Sequence, residues 1–295
     1  METAILKAAI AVLTISLTGC GNAKDESAVN QTETTSLTTQ EIKIETETSA
    51  ISAAETLTEA FTAPETQTNA TETTENENIV KKSFSNYTIA IDAGHQSHGN
   101  SAQEPIGPGA SETKAKVTGG TSGKASGLDE YELNLIISLK LKKLLEEKGY
   151  NVIMTRETND VDISNSERAA IANSANANAF VRIHANGSDD PAVNGAMTIC
   201  QTPSNPYNGY LYDESYSLAE NILNSLTEET GAYREKIWET DTMSGINWAT
   251  VPTTIVEVGY MSNREEDLKL ANEEYQDKVA LGIMKGIEKY LQVNE

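Results

Sequence analysis

Two histidines and a glutamate follow or end separate apolar segments of the chain. His95 follows the segment IAIDAG, His184 ends AFVRIH, and Glu257 lies within TTIVEVGY. Two imidazoles and a carboxylate are a ligand set of catalytic zinc sites that keep a fourth position for water. Such a site also needs a carboxylate that accepts the proton of that water. Glu130, at the start of a helical pattern, is the second carboxylate, and periodicity alone does not decide which glutamate is ligand and which is base.

The histidines have alternative interpretations. A histidine at the end of a strand is more often a hydrogen-bonded structural residue than a ligand. Two of the three histidines are in such positions, with carboxylates to match, and this leaves a metal site and structural histidines as equally good interpretations. The third histidine, His98, could instead pair with His95 as an H-x-x-H chelate. That alternative is weaker because the Ser/Gly-rich residues around His98 predict no helix that would hold both imidazoles on one face.

Strand and helix patterns alternate along the C-terminal two thirds of the chain. The pattern predicts strands over 87–94, 150–155, 179–184, 196–201 and within 253–263, and helices over 131–148, 166–177, 215–229 and the last ~30 residues. This order predicts one α/β domain of three layers, with a mostly parallel, twisted sheet flanked by helices. Ligands of such sheets bind beyond the carboxyl ends of the strands, which is where the polar residues described above fall.

Six motifs in this order resemble the zinc-dependent N-acetylmuramoyl-L-alanine amidases of the type-3 class. They are IAIDAGH, EYELNL, VIMTR, ERAAIAN, FVRIHAN and IVEVGYMSN. The resemblance covers residues 87–291, and it implies that His95, Glu130 and His184 bind Zn²⁺ and that Glu257 is catalytic. The turn at His95 departs from the family's P-G-H-G-G pattern. The segment from His95 to Glu130 is longer than in simple members, and we expect an aperiodic loop that borders the cleft.

The resemblance implies a peptidoglycan hydrolase that cleaves the amide between N-acetylmuramic acid and L-alanine of the stem peptide. A zinc peptidase acting on stem peptides and a catalytically silent wall-binding module remain alternatives. The 44 acidic residues against 22 basic ones argue against nucleic acid as a partner, since phosphate binding needs a basic surface. We expect a monomer.

Several further residues are candidates for substrate contact. Asn186 and Arg156 are candidate substrate-binding residues, although an ion pair within the fold is the favoured interpretation for Arg156 and Arg168. Trp238 and Trp248 could line a sugar-binding groove, but core packing is favoured for both. Cys200 lies in a predicted strand and is expected to be a buried, small apolar residue.

The N-terminal segment has the features of an export signal. An apolar run of roughly ten residues is too short for the ~20 that span a bilayer, and it ends in the sequence LTGC, which resembles a bacterial lipobox. We expect a lipoprotein-type signal peptide over 1–19 and lipidation of Cys20, which would anchor the chain on the outer face of the cytoplasmic membrane. A plain secretory signal is the alternative. A disordered Thr/Glu-rich linker is expected over 20–84 and the catalytic domain over 85–295.

Overall fold

The computed structural model describes residues 84–292, which contain eight strands and six α-helices. The strands are β1 (Thr88–Ala93), β2 (Asn100–Pro105), β3 (Thr113–Val117), β4 (Asn151–Met154), β5 (Ala179–Asn186), β6 (Ala196–Cys200), β7 (Arg234–Glu239) and β8 (Thr253–Tyr260). The helices are α1 (Glu130–Lys148), α2 (Asn165–Ser174), α3 (Tyr212–Thr230), α4 (Ser244–Asn247), α5 (Arg264–Leu270) and α6 (Glu273–Tyr290). The predicted signal peptide, Cys20 and the linker up to residue 83 lie outside the described residues.

Six strands form one sheet in the order β4-β1-β5-β8-β6-β7. Strands β4, β1, β5 and β8 are parallel to one another, and β6 pairs antiparallel with β8 while β7 is parallel to β6. The prediction of a mostly parallel sheet is therefore confirmed. Within residues 84–292, none of the helices combines the length and the apolar character that a membrane span requires.

Both faces of the sheet are covered by helices. Alternate residues of a strand point to opposite faces, so Ile89 and Ile91 of β1 join the large apolar core that α1, α3 and α6 cover. Ala90 and Phe180 point the other way, into a smaller core shared with α2. The three-layer prediction is confirmed. Phe84 stacks on Tyr150 with ring centroids 4.8 Å apart, so the packed part of the chain includes the residue before the predicted boundary at 85.

Helix α1 begins and ends at residues with clear sequence signals. The Glu132 side chain accepts a hydrogen bond from the backbone N–H of Asp129, which immediately precedes the helix. At the other end, Gly149 adopts the left-handed conformation (φ 93°) that terminates helices. The start of α1 places Glu130 in the first turn, beside the carboxyl ends of β1 and β5.

The segment between His95 and Glu130 differs from the predicted aperiodic loop. Strands β2 and β3 pair antiparallel and form a hairpin. The sequence signal is weak because most residues of β2 are exposed, so no apolar alternation marks the strand. The edge strand β7 lacks a sequence signal for a similar reason, since four of its six positions are polar and none is fully buried.

A buried charge cluster lies beneath the carboxyl end of β1. Asp92 is fully buried, and its Oδ1 accepts from Arg168 Nη1 (2.7 Å) and Thr155 Oγ1 (2.6 Å), while its Oδ2 accepts from Arg182 Nε (2.8 Å). Burial alone would raise the pKa of Asp92, but the two guanidinium groups and the Thr155 hydroxyl hold it well below its usual range. Arg168 forms the ion pair that was predicted within the fold.

Asp92→Asn is expected to lower the free energy of unfolding by about 3–5 kcal/mol, because two buried guanidinium groups would lose their counter-charge. Denaturant unfolding measures the loss. Glu104→Gln is the matched control, since Glu104 is also buried but accepts hydrogen bonds only from the backbone N–H and hydroxyl of Ser166 among the described residues. An equal loss in both variants would contradict the ion-pair explanation.

Candidate metal centre

Three predicted ligands converge from three elements. His95 follows β1, Glu130 begins α1, and His184 lies near the end of β5. Glu130 Oε1 is 3.1 Å from His95 Nε2 and 3.2 Å from His184 Nδ1. One candidate ligand atom from each residue lies within 4.8 Å of the other two. The two imidazole rings are nearly perpendicular, with centroids 4.7 Å apart. The cluster thus offers two ring nitrogens and a carboxylate to one point.

The backbone and one ring nitrogen of His95 are held in place. His95 has a φ of 60°, in the left-handed region that non-glycine residues seldom occupy. Arg168 Nη2 donates to the His95 carbonyl (3.0 Å). The His95 Nδ1 lies 2.8 Å from the carbonyl oxygen of Thr118. Because a carbonyl only accepts, Nδ1 carries a proton and donates to Thr118, which leaves Nε2 as the nitrogen that faces Glu130. Burial alone would lower the pKa of His95, but its hydrogen bond with Glu130 and the charge of that carboxylate raise it. The role of Thr118 has no sequence signature, since it uses a backbone atom.

Glu130 is held in its ionised form. Its Oε2 accepts from the backbone N–H of Thr121 (2.9 Å), and its Oε1 accepts from the backbone N–H of Ala185 (3.2 Å) and from Asn134 Nδ2 (3.3 Å). Burial alone would raise the pKa of Glu130, but its hydrogen bonds with the two histidines hold that pKa well below the usual range. An ionised carboxylate with a fixed orientation is what a metal ligand requires.

His184 is partly buried and favours its neutral form. Burial lowers the pKa of His184 despite the opposing effect of its hydrogen bond with Glu130. Its Nε2 is buried and has no hydrogen-bond partner among the described residues. The ring packs against Gly94, where an added Cβ would fall 2.3 Å from Nε2, so glycine is needed at this turn. Two imidazole nitrogens and an ionised carboxylate form a donor set that fits a zinc ion, whose binding would displace a proton from the imidazoles.

Glu257 lies beside the cluster without joining it. It occupies the position of β8 that is in register with His184 of β5. Its Oε2 is buried and has no hydrogen-bond partner among residues 84–292. Burial and the negative charge of Glu130 raise the pKa of Glu257 to about 8. The geometry therefore groups Glu130 with the histidines and leaves Glu257 as a nearby carboxyl group of high proton affinity.

Two cavities meet at the cluster. The larger has a volume of about 580 Å³ and the smaller about 220 Å³. His95, Thr118, His184 and Glu257 line both of them. The backbone that follows the β2–β3 hairpin forms one wall, so the prediction that this segment borders the cleft is confirmed. Asn186 lines the larger cavity, a position that is compatible with the predicted substrate contact.

Two other predicted residues are placed elsewhere. His98 lies outside the three-residue cluster and lines a separate cavity with Asp160 and Asp162, so the H-x-x-H alternative is not supported. Arg156 is 3% exposed and lines neither of the two cavities at the cluster. Its guanidinium donates to four backbone carbonyls, two of which belong to Ala93 and Gly94, and to the Asn159 side chain. Arg156 thus fixes the turn that carries His95, and it forms no ion pair within residues 84–292; its position gives no support to the predicted substrate contact.

The remaining predictions concern packing. Cys200 is buried, as expected. Trp238 is 39% exposed on β7, so the prediction of core packing is wrong for this residue. Trp248 is partly buried against the smaller core, and its Nε1 donates to the carbonyl of Pro105 at the end of β2 (2.8 Å). Trp248 therefore also fixes the hairpin to the rest of the domain.

The sequence model of a family described as N-acetylmuramoyl-L-alanine amidase matches residues 89–289. The N-acetylmuramoyl-L-alanine amidase LytC of Bacillus subtilis (strain 168) is 30% identical over 218 residues, which are 74% of this chain and 38% of LytC. The germination-specific N-acetylmuramoyl-L-alanine amidase of the same organism is 30% identical over 191 residues, 58% of this chain and 76% of the relative. The chain thus spans well under half the length of LytC.

Solved structures with the same fold include two amidases. The crystal structure of the N-acetylmuramyl-L-alanine amidase Ami1 from Mycobacterium smegmatis has a TM-score of 0.64 and 25% identity, and the match covers 72% of this chain and 100% of Ami1. The catalytic domain of CwlV, an N-acetylmuramoyl-L-alanine amidase from Bacillus (Paenibacillus) polymyxa var. colistinus, has a TM-score of 0.54 and 29% identity, with 70% of this chain and 99% of that domain covered.

Proposed function

Because the chain belongs to the N-acetylmuramoyl-L-alanine amidase family whose model covers residues 89–289, we propose that it is a zinc-dependent peptidoglycan hydrolase. The bond cleaved is the amide between N-acetylmuramic acid and the L-alanine of the stem peptide. The observation that carries the proposal is the convergence of His95, Glu130 and His184, with Glu257 beside them, at the junction of two cavities.

In this proposal His95, Glu130 and His184 hold the zinc ion. When bound, zinc would lower the pKa of a coordinated water to ~7 and polarise the scissile carbonyl. The protein supplies a fixed donor set for it. The carbonyl of Thr118 orients His95, two backbone N–H groups orient Glu130, and burial keeps His184 neutral.

Glu257 moves the proton. It accepts a proton from the attacking water and delivers it to the nitrogen of L-alanine as that nitrogen leaves. Burial and the negative charge of Glu130 raise the pKa of Glu257, and this high proton affinity suits the delivery of a proton to the leaving nitrogen. A cation at the cluster would oppose the effect of the Glu130 charge and favour the ionised, proton-accepting form of Glu257.

The test is a digest of purified sacculi with the zinc-loaded protein, followed by identification of the new amino groups. The proposal expects the α-amino group of L-alanine to be freed. A zinc peptidase would free the amino group of another residue, and a silent wall-binding module would free none. Because the three proposed ligands and the proposed base come from one chain, we infer that a monomer is sufficient for activity.

We also propose that a lipid on Cys20 holds the enzyme at the outer face of the cytoplasmic membrane. The support is the sequence LTGC directly after a short apolar run. Cys20→Ser is expected to move the protein from the membrane fraction to the soluble fraction, since the acyl chains would be absent. Activity on soluble muropeptides should be unchanged. Retention of the variant in the membrane fraction would contradict lipidation and favour an uncleaved N-terminal segment as the anchor.

A further inference from the structure

A buried arginine lines the smaller cavity beside the metal cluster. Arg182 is 3% exposed and lies two residues before His184 on β5, so the two side chains leave the same face of the sheet. Its Nε donates to Asp92 Oδ2 (2.8 Å), and its Nη2 donates to Asn165 Oδ1 (2.7 Å). Within the described part of the chain, Nη1 has no hydrogen-bond acceptor. One donor group of the guanidinium is therefore available to a ligand.

The fold leaves space for this donor group. Gly245 of α4 lies against the guanidinium, and a Cβ at this position would fall 1.5 Å from Nη1 and 2.3 Å from Cζ of Arg182. Both residues line the smaller cavity. Any side chain at position 245 would displace the guanidinium, so the glycine is what permits Nη1 to lie at the cavity wall.

The charges beneath the cavity do not cancel. Asp92 is the single carboxylate paired with both Arg168 and Arg182, so the buried group carries an excess of one positive charge. Glu130 is nearby, but a divalent cation at the cluster would offset its negative charge. A buried positive charge without a full counter-charge is costly. An anionic group in the smaller cavity would offset that cost.

The two cavities differ in the chemistry of their walls. The smaller has four apolar side chains, from Val117, Ile199, Met243 and Ile255. The larger is lined mainly by glycine, hydroxyl and amide groups, including Thr121, Asn186, Ser188 and Ser262. A methyl group next to an anion suits the smaller cavity, whereas the hydroxyl groups of a sugar suit the larger one. With the scissile bond at the cluster, L-alanine and the residue after it would then lie in the smaller cavity.

We propose that Arg182 Nη1 binds the α-carboxylate of the stem-peptide residue that follows L-alanine. This inference rests on the proposed amidase function. An α-carboxylate one residue beyond the alanine is at most ~7 Å from the scissile carbonyl carbon in an extended chain. Arg182 lies two positions before His184, which is about 6.6 Å along β5 and matches the span of the substrate. The enzyme would thus distinguish a free carboxylate from a carboxamide at that position of the substrate.

The test compares two synthetic substrates, N-acetylmuramoyl-L-alanyl-D-glutamate with its α-carboxylate free and the same compound with an α-carboxamide. A hydrogen bond to a charged group supports a preference of roughly tenfold to hundredfold for the carboxylate. We expect this preference in KM, with similar kcat. Arg182→Met should abolish the preference, because KM for the carboxylate substrate would rise to that for the carboxamide. A purely structural role of Arg182 would lower the rates of both substrates equally, which would overturn the inference.

Two further variants keep the test decisive. Removing Arg182 still leaves Asp92 paired with Arg168, so Arg182→Met is expected to fold; thermal unfolding and zinc content verify this. Gly245→Ala keeps the charge but displaces the guanidinium, and it should also lose the preference. Lys124→Met is the matched control, since Lys124 is a cation that lines only the larger cavity.

The outcomes separate this inference from the proposed function. If the wild-type enzyme cleaves both substrates with equal KM, the inference is wrong and the amidase function stands. If Lys124→Met removes the preference and Arg182→Met does not, the carboxylate binds in the larger cavity and the inference is overturned. Cleavage of neither substrate by the zinc-loaded wild-type enzyme would contradict the amidase function itself.

Discussion

Glu257→Gln is expected to lower the turnover of a muramoyl-L-alanine substrate by roughly 10²–10⁴-fold, the range for losing positioned proton transfer. The carboxyl and carboxamide groups are nearly equal in size, so the strand and the core should be unaffected. The amide cannot take up the proton that the carboxylate accepts. Glu257 Oε2 has no hydrogen-bond partner among residues 84–292, so no structural hydrogen bond is lost there. Steady-state kinetics with the zinc-loaded variant measure the effect.

Glu235→Gln is the matched control for this prediction. Glu235 also has a buried oxygen, Oε1, without a hydrogen-bond partner in the described residues, but it lies on β7, two strands away from β8. Its replacement should leave turnover unchanged. Equal losses of turnover in the two variants would show that replacing a buried carboxylate anywhere in this sheet lowers activity. The assignment of Glu257 as the base would then lose its support.

His184→Ala is expected to remove the metal and the activity together. The ring of His184 packs against Gly94, and its Nδ1 lies 3.2 Å from Glu130 Oε1. Alanine leaves two ligands and an empty space in the cluster, which should reduce zinc binding below one equivalent. Metal analysis after gel filtration measures zinc per chain, and the amidase assay measures activity. A His184→Ala variant with a full equivalent of zinc would contradict the proposed ligand set.

His98→Ala is the control for the histidines. His98 lies three residues after His95 but lines a different cavity. Zinc content and activity should both match those of the wild-type protein. Loss of either one would restore the H-x-x-H chelate as a candidate.

The sequence was sufficient to predict much of the fold and of the candidate site. Strands β1, β5 and β8 are apolar, and their buried runs are typical of a central parallel sheet. The rule that ligands bind at the carboxyl ends of such strands predicts that His95, His184 and Glu257 lie at one site. The choice between the two glutamates could not be made from periodicity. It depends on where helix α1 begins in space, because its first turn directs Glu130 towards both histidines.

What the sequence did not predict depends on neighbours that are distant along the chain. The β2–β3 hairpin is mostly exposed, and it is fixed by contacts such as that of Trp248 with Pro105. Within residues 84–292 Arg156 forms no ion pair, and two of its hydrogen bonds go to carbonyls of a turn over 60 residues away. The available donor group of Arg182 has no sequence signature. It depends on the small size of Gly245, which lies against the guanidinium only in the folded chain.

The most direct test of this account is the zinc content of Glu257→Gln compared with that of Glu130→Gln. Both variants should lose activity, so only the metal distinguishes the two roles. If Glu130 is a ligand, its change to a neutral amide weakens metal binding, whereas Glu257→Gln leaves the three ligands intact. The account predicts one equivalent of zinc in Glu257→Gln and clearly less in Glu130→Gln. Full zinc in Glu130→Gln together with loss from Glu257→Gln would reverse the roles and contradict it.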